Sequence, residues 1–368
     1  MRPSLTRLTL RGFKTIRELK DFEPGRITVL IGANGAGKSN FLSFFRMLSW
    51  ALTPPGELQS YVLRQGGAST LLHDGPAKTR EIEAVLEIRS APDLVYRVRL
   101  SHAVEDTLIL ADDLMLAEDY FELKRGWQIL RSGRESGIIA KAESGDEEAR
   151  YIRDMLTRII VHHFHDTSPT SRFRNRWPAD DGRRLKEDAG NLAPFLLRLR
   201  DIEPKYYQRL VGTLRMIFPF FADFQLEPES GSLLLRWRER GSDQIFGVSQ
   251  ASDGMLRAMA LVALLRQPEK DLPNVLILDE PELGLHPYAI EVLAALIQSA
   301  SYHCQVIVAT QSVSLIDQFE PHDIVVVDRV GRESTFRRLN DSDLTEWRER
   351  YTMSELWEKN VLGGRPSR

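Results

Sequence analysis

The sequence is poor in three things. It has one cysteine, Cys304, so no internal disulfide can form, and a cysteine-built zinc module is excluded. It has no long apolar run: the longest, near Met255 to Leu265, is too short and too interrupted to span a bilayer. It has no excess of one charge, since 49 Lys plus Arg against 52 Asp plus Glu leave a net of −3. That excludes a uniformly basic nucleic-acid coat but leaves room for a local basic patch. The opening MRPSLTRLTLRGF lacks the apolar core of a signal peptide, so the expected compartment is the cytoplasm. No internal repeat, low-complexity tract or sustained heptad pattern interrupts the chain.

What is there is an ordinary globular composition, 42% hydrophobic and 27% charged over 368 residues. That is enough chain to bury a core without staples. Leu5 to Phe13 alternates as a strand, and Ile27 to Ile31 is a compact apolar run between glycines. Phe41, Leu42, Phe45, Leu48 and Leu52 recur at helical spacing, and Pro54-Pro55 ends that helix. Between Glu81 and Arg131 the pattern has period two, which predicts an antiparallel meander. Ser132 to Glu148 reads as an exposed loop. Helices are expected over Glu148 to Ile160, Asn191 to Phe218, Ser252 to Arg266 and Tyr288 to Ala300, with a strand pair over Phe224 to Phe246. The apolar strands Val275–Leu278, Val306–Ala309 and Ile324–Val327 alternate with helices, which predicts an α/β chain with a mainly parallel sheet.

The strongest local signal is Gly32-Ala33-Asn34-Gly35-Ala36-Gly37-Lys38-Ser39, which fits G-x-x-x-x-G-K-[ST] between a predicted strand and a predicted helix. Glycines at 32, 35 and 37 let the backbone wrap a phosphate without Cβ clashes. Successive N–H groups and the helix N-terminus add partial positive charge. Lys38 is then the residue for the β- and γ-phosphates, and Ser39 a ligand of Mg²⁺. The matching half is Val275-Leu-Ile-Leu-Asp279-Glu280, an apolar strand ending in two carboxylates. Asp279 falls at the C-terminal end of a strand, where open α/β sheets bind ligands, and completes the Mg²⁺ shell. Glu280 is the candidate general base for water. A base for water favours ATP hydrolysis over small-molecule phosphorylation, and no N-K-x-D guanine reader is present.

These residues, with Asn40 after the loop, the opening Leu8-Thr-Leu-Arg-Gly-Phe-Lys14-Thr-Ile16 and Leu278-Asp-Glu-Pro-Glu-Leu-Gly-Leu-His-Pro287, resemble ABC-type ATPases of the RecF/SMC/OLD kind. More narrowly they resemble stand-alone bacterial "AAA family" SMC-like ATPases. His163-Phe-His-Asp-Thr-Ser168 and Leu356-Trp-Glu-Lys-Asn-Val-Leu-Gly-Gly364 share that resemblance. It implies a P-loop NTPase with an ABC-type two-lobed head: a mixed sheet, an antiparallel β meander and a helical lobe. The implied division is 1–147 with 267–368 as the nucleotide lobe and 148–266 as the helical, signature-bearing lobe.

In that group two heads sandwich two ATP molecules, each phosphate loop facing the partner's signature. Ala251-Ser252-Asp-Gly254-Met-Leu-Arg257 resembles the signature, with Asp253 and Met255 where transporters have Gly and Gln. Ser252 is equally the N-cap of a helix. His286 in the D-loop position is either a nucleotide contact across the dimer or a helix-start residue before Pro287. The switch position, His in many members, is Gln311 here. Gln311 can donate a hydrogen bond to a γ-phosphate but cannot carry a proton. His73 falls near the expected Q-loop and reads as a loop residue.

Without heptad arms, a C-x-x-C hook or a Toprim segment, the sequence resembles a compact RecF-like head. The resemblance implies a homodimer, DNA or a separate effector protein as partners, and genome maintenance or phage defence as setting. Arg172, Arg174, Arg176, Arg183, Arg184 and Lys186 around Phe173 and Trp177 suit phosphate contact and base stacking, or else a solvated loop or dimer contact. His162, His163 and His165 read as alternation on a strand rather than as a metal site. The alternative to a turning-over switch is a slow ATPase that serves as a scaffold for a nuclease or toxin.

Overall fold

A computed structural model describes residues 3–53, 57–90, 93–116, 128–133, 136–340 and 352–363. The predicted helix stop at Pro54-Pro55 and the tail 364–368 lie outside the described residues. The central sheet has six strands in the order Glu333–Arg338, Ile324–Val330, Ile27–Ile31, Gln305–Thr310, Val275–Asp279 and Ile160–His162. Every pair is parallel except the outermost, between Ile324–Val330 and Glu333–Arg338. A parallel sheet is covered on both faces, so its strands read as unbroken apolar runs. Val275 and Ile277 enter one core, while Leu276 and Leu278 enter the other.

The first core holds the helix Lys38–Leu52 between the central sheet and a second, antiparallel sheet. The second sheet runs Ile16–Phe22, Ser4–Phe13, Glu81–Arg89, Leu94–Ala103, Thr107–Leu116, Gln128–Gly133, and is the expected meander. Phe41, Phe44 and Phe45 are fully buried between the layers. The second core packs the helices Leu192–Ile202, Pro204–Ile217, Asp253–Leu265 and Pro287–Ala300 on the other face of the central sheet. A three-stranded sheet, Phe221–Phe224, Arg236–Glu239 and Ile245–Gly247, completes it. In Asp253–Leu265 every residue from Met255 onward except Arg257 is buried, as befits a helix that is apolar all round.

Four expectations are corrected. Ser132 to Glu148 is not simply a loop: it contains the helix Gly137–Glu143, with Ile138 and Ala142 buried. Ser136 caps its start, accepting from Ile138 N at 3.2 Å, and the buried Asp112 of a distant strand adds to the cap by accepting from Gly137 N at 2.9 Å and Ile138 N at 3.2 Å. Composition along the segment carries no trace of that carboxylate. The helix expected over Asn191 to Phe218 breaks at Glu203, because a proline within a helix lacks the N–H and clashes with the preceding turn. The helix expected over Glu148 to Ile160 is Glu147–Leu156, and Ile160 opens the sheet-edge strand. The strand pair over Phe224 to Phe246 is four strands, three in one sheet and the short Ser232–Leu233 paired with Trp177–Pro178. Ile160–His162 falls within the 148–266 segment yet lies in the central sheet.

Candidate functional site

The loop Gly32–Ser39 joins the central strand Ile27–Ile31 to the helix Lys38–Leu52. Its shape is enforced from outside. A Cβ on Gly32 would sit 2.1 Å from Val327 O, and one on Gly37, whose φ is +119°, 2.1 Å from Ser334 Oγ. Ser334 Oγ lies 2.6 Å from Ala36 O and 2.7 Å from Thr15 Oγ1, and Asn40 Nδ2 donates to Thr15 Oγ1 at 2.8 Å. Arg329 donates to Gly35 O at 3.3 Å. Asn40, expected among the nucleotide contacts, thus turns its side chain to this bracing network. Thr15 and Ser334 were not legible as site residues, because nothing in the sequence brings positions 15, 36 and 334 together.

Lys38 is only 5% exposed. Its ammonium donates to Gly32 O at 2.6 Å and Ala33 O at 3.1 Å. Burial pulls its pKa below the usual lysine value, and the charges of Glu280, Asp279 and Glu282 oppose that shift. Asp279 ends the strand beside it. Burial raises the Asp279 pKa above the usual aspartate value, nearby His165 opposes, and Glu280 adds to the rise. Glu280 follows with a left-handed backbone, φ +42°, fixed by its N–H to Ala309 O at 2.8 Å. Such a conformation in a non-glycine residue stores strain of about 1–3 kcal/mol. Gln311, at the end of the neighbouring strand, donates from Nε2 to Glu280 Oε1 at 2.6 Å and to Asn34 Oδ1 at 2.7 Å. One amide therefore joins the phosphate loop, the acid strand and the switch strand. Ser39, Asn34 and Gly35 are exposed at the mouth.

Two further features were missed in the sequence. Glu282 is buried and accepts from the Thr310 hydroxyl, while its Oε2 has no partner among the described residues. Burial holds its carboxyl above the usual glutamate range. His165 reaches the acid strand, with Nε2 3.0 Å from Asp279 O. His73 does not: it sits buried in a turn, its Nδ1 2.8 Å from Lys14 O. Beside the loop lies a polar cavity of about 480 Å³ whose lining includes Lys14, Thr15, Gln65, Asp74, Arg329 and Arg332.

The segment expected to be the signature lies at the surface. Ser252 Oγ accepts from Met255 N at 3.2 Å, so it is a helix N-cap, and Ser252 and Asp253 are exposed. A Cβ on Gly254 would sit 2.3 Å from Gly284 O, which places the loop against 280–286 of the same chain. His286 takes the helix-start geometry, accepting from Tyr288 N at 3.3 Å through Nδ1. Leu283 and Tyr288 are 44% and 46% exposed beside it.

The arginine cluster is mostly engaged within the protein. Arg172 pairs with Asp188 at 3.1 Å, Arg176 with Glu229 at 2.6 Å and Lys186 with Asp181 at 2.7 Å. Arg174 donates to Val248 O at 2.5 Å and Thr167 O at 3.0 Å. Phe173 is buried, which takes it away from any base, while Arg172 and Lys186 lie over the Trp177 ring. Arg183 and Arg184 are exposed. Burial pushes the His162 pKa down to about 3, so that histidine is a neutral strand residue.

Solved structures with this architecture include heads of SMC proteins. A head described as bound to the C-winged helix domain of ScpA aligns with a TM-score of 0.63 at 16% identity, covering 93% of this chain and 99% of that one. A head with an extended coiled coil bound to the C-terminal domain of ScpA, from Pyrococcus furiosus, gives 0.61 at 16% identity, covering 94% and 99%. The SMC head from Thermotoga maritima gives 0.50 at 17% identity, covering 92% and 100%. The fold is that of an ABC-type P-loop ATPase head. No curated protein sequence matches the chain. The family model described as "AAA domain, putative AbiEii toxin, Type IV TA system" matches residues 27–317, and the chain belongs to that family of nucleotide-binding ATPases.

Proposed function

We propose that the chain binds and hydrolyses ATP and works as a head-to-tail dimer in the cytoplasm. The observation that carries this is the meeting of Lys38, Asp279, Glu280 and Gln311 at the mouth of one glycine loop. The residues fit a nucleoside triphosphate with a divalent cation. The loop is too tightly braced for a Cβ at Gly32 or Gly37, and it holds a buried ammonium whose acceptors here are backbone carbonyls. ATP with Mg²⁺ supplies the phosphoanhydride bond and the neutralising cation. Gly32 to Asn40 form the cradle, Lys38 meets the terminal phosphates, and Ser39 and Asp279 hold the metal. Glu280 polarises the attacking water, and Gln311 orients Glu280. Ser252, Gly254 and His286 of one copy complete the phosphate site of the other. The exposure of Ser252 and His286 beside Leu283 and Tyr288 supports that assignment. No helix among the described residues is long and apolar enough to cross a membrane.

The setting we propose is a DNA-related process, genome maintenance or phage defence, with DNA or a separate effector as partner. The SMC heads described as bound to parts of ScpA support a protein partner, and the toxin in the family description supports defence. A second reading, a slow ATPase that scaffolds a nuclease or toxin, is favoured by Gln311, which carries no titratable proton. The test is Glu280→Gln. It should slow turnover by about 100-fold or more, the size of a general-base contribution, and trap a dimer in the presence of ATP. Normal hydrolysis, or a monomer at saturating ATP, would contradict the switch. Slow wild-type turnover that neither DNA nor an effector raises would favour the scaffold.

A further inference from the structure

Arg257 lies in the helix Asp253–Leu265, just behind Ser252 and Gly254, and is the one residue after Gly254 that this helix does not bury. Its guanidinium donates three hydrogen bonds, all to backbone carbonyls on other segments. Nε reaches Phe164 O at 3.0 Å, one terminal nitrogen reaches His165 O at 2.9 Å, and the other reaches Leu283 O at 2.9 Å. A planar fork held at three corners has one orientation.

Both recipient segments lead away from the nucleotide sheet. Phe164 and His165 follow the edge strand Ile160–His162, and Leu283 lies three residues after Glu280. His165 closes the ring, with Nε2 3.0 Å from Asp279 O. A carbonyl only accepts, so Nε2 carries the proton there. The backbones press together at the same place: a Cβ on Gly254 would sit 2.3 Å from Gly284 O, and one on Gly284 would sit 2.8 Å from the Arg257 guanidinium. The acid strand, the segment 164–165, the signature loop and 280–284 thus form one closed circuit.

We propose that His165 and Arg257 are positioning residues that tie the signature loop to the acid strand, so that occupancy of a chain's own phosphate loop sets how it presents Ser252 and Gly254 to a second copy. This rests on the proposed function and adds its regulation. Neither side chain needs to touch nucleotide; each acts through carbonyl groups. Packing between rigid elements with few alternative arrangements carries a displacement from one end of such a circuit to the other. Lysine cannot replace Arg257, because one ammonium does not match three carbonyls spread over a planar fork.

The test is amide hydrogen exchange on the full chain with and without a non-hydrolysable ATP analogue, read at the helices Lys38–Leu52 and Asp253–Leu265. In the wild type both helices should gain protection. In Arg257→Lys and in His165→Ala the phosphate-loop helix should respond as before. The signature helix should lose its response by about fivefold or more, the lower end of ordinary coupling between sites. The double variant should be no worse than the more severe single one, because both cut the same circuit. A merely structural brace would lower the thermal midpoint and raise exchange in the signature helix with and without nucleotide alike. An undiminished signature response in either single variant, or additive losses in the double, would overturn the relay while leaving ATP binding intact. No response at Lys38–Leu52 in the wild type would overturn ATP binding itself, and the relay with it.

Discussion

The phosphate loop and the signature loop are built to opposite plans. The phosphate loop is braced on several sides within one chain, by Val327, Ser334, Thr15 and Arg329, and its lysine is buried among carbonyls and carboxylates. The signature loop is held from behind by Gly284 and Arg257 and at its side by Arg174, which pairs with Asp253 at 3.7 Å, and its Ser252 faces outward with a helix N-terminus behind it. A helix N-terminus presented to solvent is a ready anion site. On the proposed function, the difference means that one half of the ATP site lies within a single chain, while the other half would come from the exposed signature loop of a second copy.

That contrast predicts a graded set of effects. Lys38→Ala should weaken ATP binding by about 100-fold, the scale of a lost charged contact, in a titration of the isolated chain. Full binding by this variant would break the comparison at its stronger end. Ser252→Arg should leave ATP binding within about threefold yet reduce turnover by about tenfold or more, as expected for a group that acts only where negative charge develops. Loss of binding and turnover together would place Ser252 in its own chain's site instead. Ser334→Ala removes one brace of the loop; the expected cost is about 1 kcal/mol of stability, with a several-fold rise in KM for ATP.

The smallest effect concerns Glu282. Its folded pKa is raised by burial, so the folded state holds its proton more tightly than the unfolded state does. The stability it contributes is full below the ordinary value of 4.5 and falls as pH rises through the raised folded value. At neutral pH the buried carboxylate is therefore a cost. Glu282→Gln should raise the thermal midpoint at pH 7, by about 1 kcal/mol or slightly more in stability, and the gain should vanish on acidification to pH 4. A gain that persists in acid would mean that the carboxylate charge is not what strains the site.

The legible part of the molecule was the part whose signals are local. Ile27–Ile31, Lys38–Leu52 and Val275–Asp279 carry apolar runs, helical spacing and a contiguous loop motif, and the structure sets those elements where the sequence reading put them. Gly137–Glu143 was read as loop because the segment is rich in Gly, Ser and charge, although Ser136 caps the helix locally and Asp112 on another strand reinforces that cap. The proline break at Glu203 was hidden by apolar spacing that continues on both sides of it. In the site, Lys38, Asp279, Glu280 and Gln311 announced themselves by motif. Thr15, Ser334, His165 and Arg257 act through contacts between segments far apart in sequence, and a single sequence carries no register for those. The cluster around Phe173 and Trp177 was open in the sequence between a stacking surface and a solvated loop or dimer contact; the burial of Phe173 and the cover of Arg172 and Lys186 over Trp177 are contacts that residue order alone does not show.

The most direct test of the central claim is to mix two impaired variants, Lys38→Ala and Ser252→Arg, and measure ATP turnover. In a head-to-tail pair, the intact phosphate loop of the Ser252→Arg chain meets the intact signature of the Lys38→Ala chain, so one complete site forms. The mixture should turn over ATP well above the sum of the two variants measured alone. A mixture no faster than that sum, at concentrations where the wild type is active, would contradict a site shared between two copies.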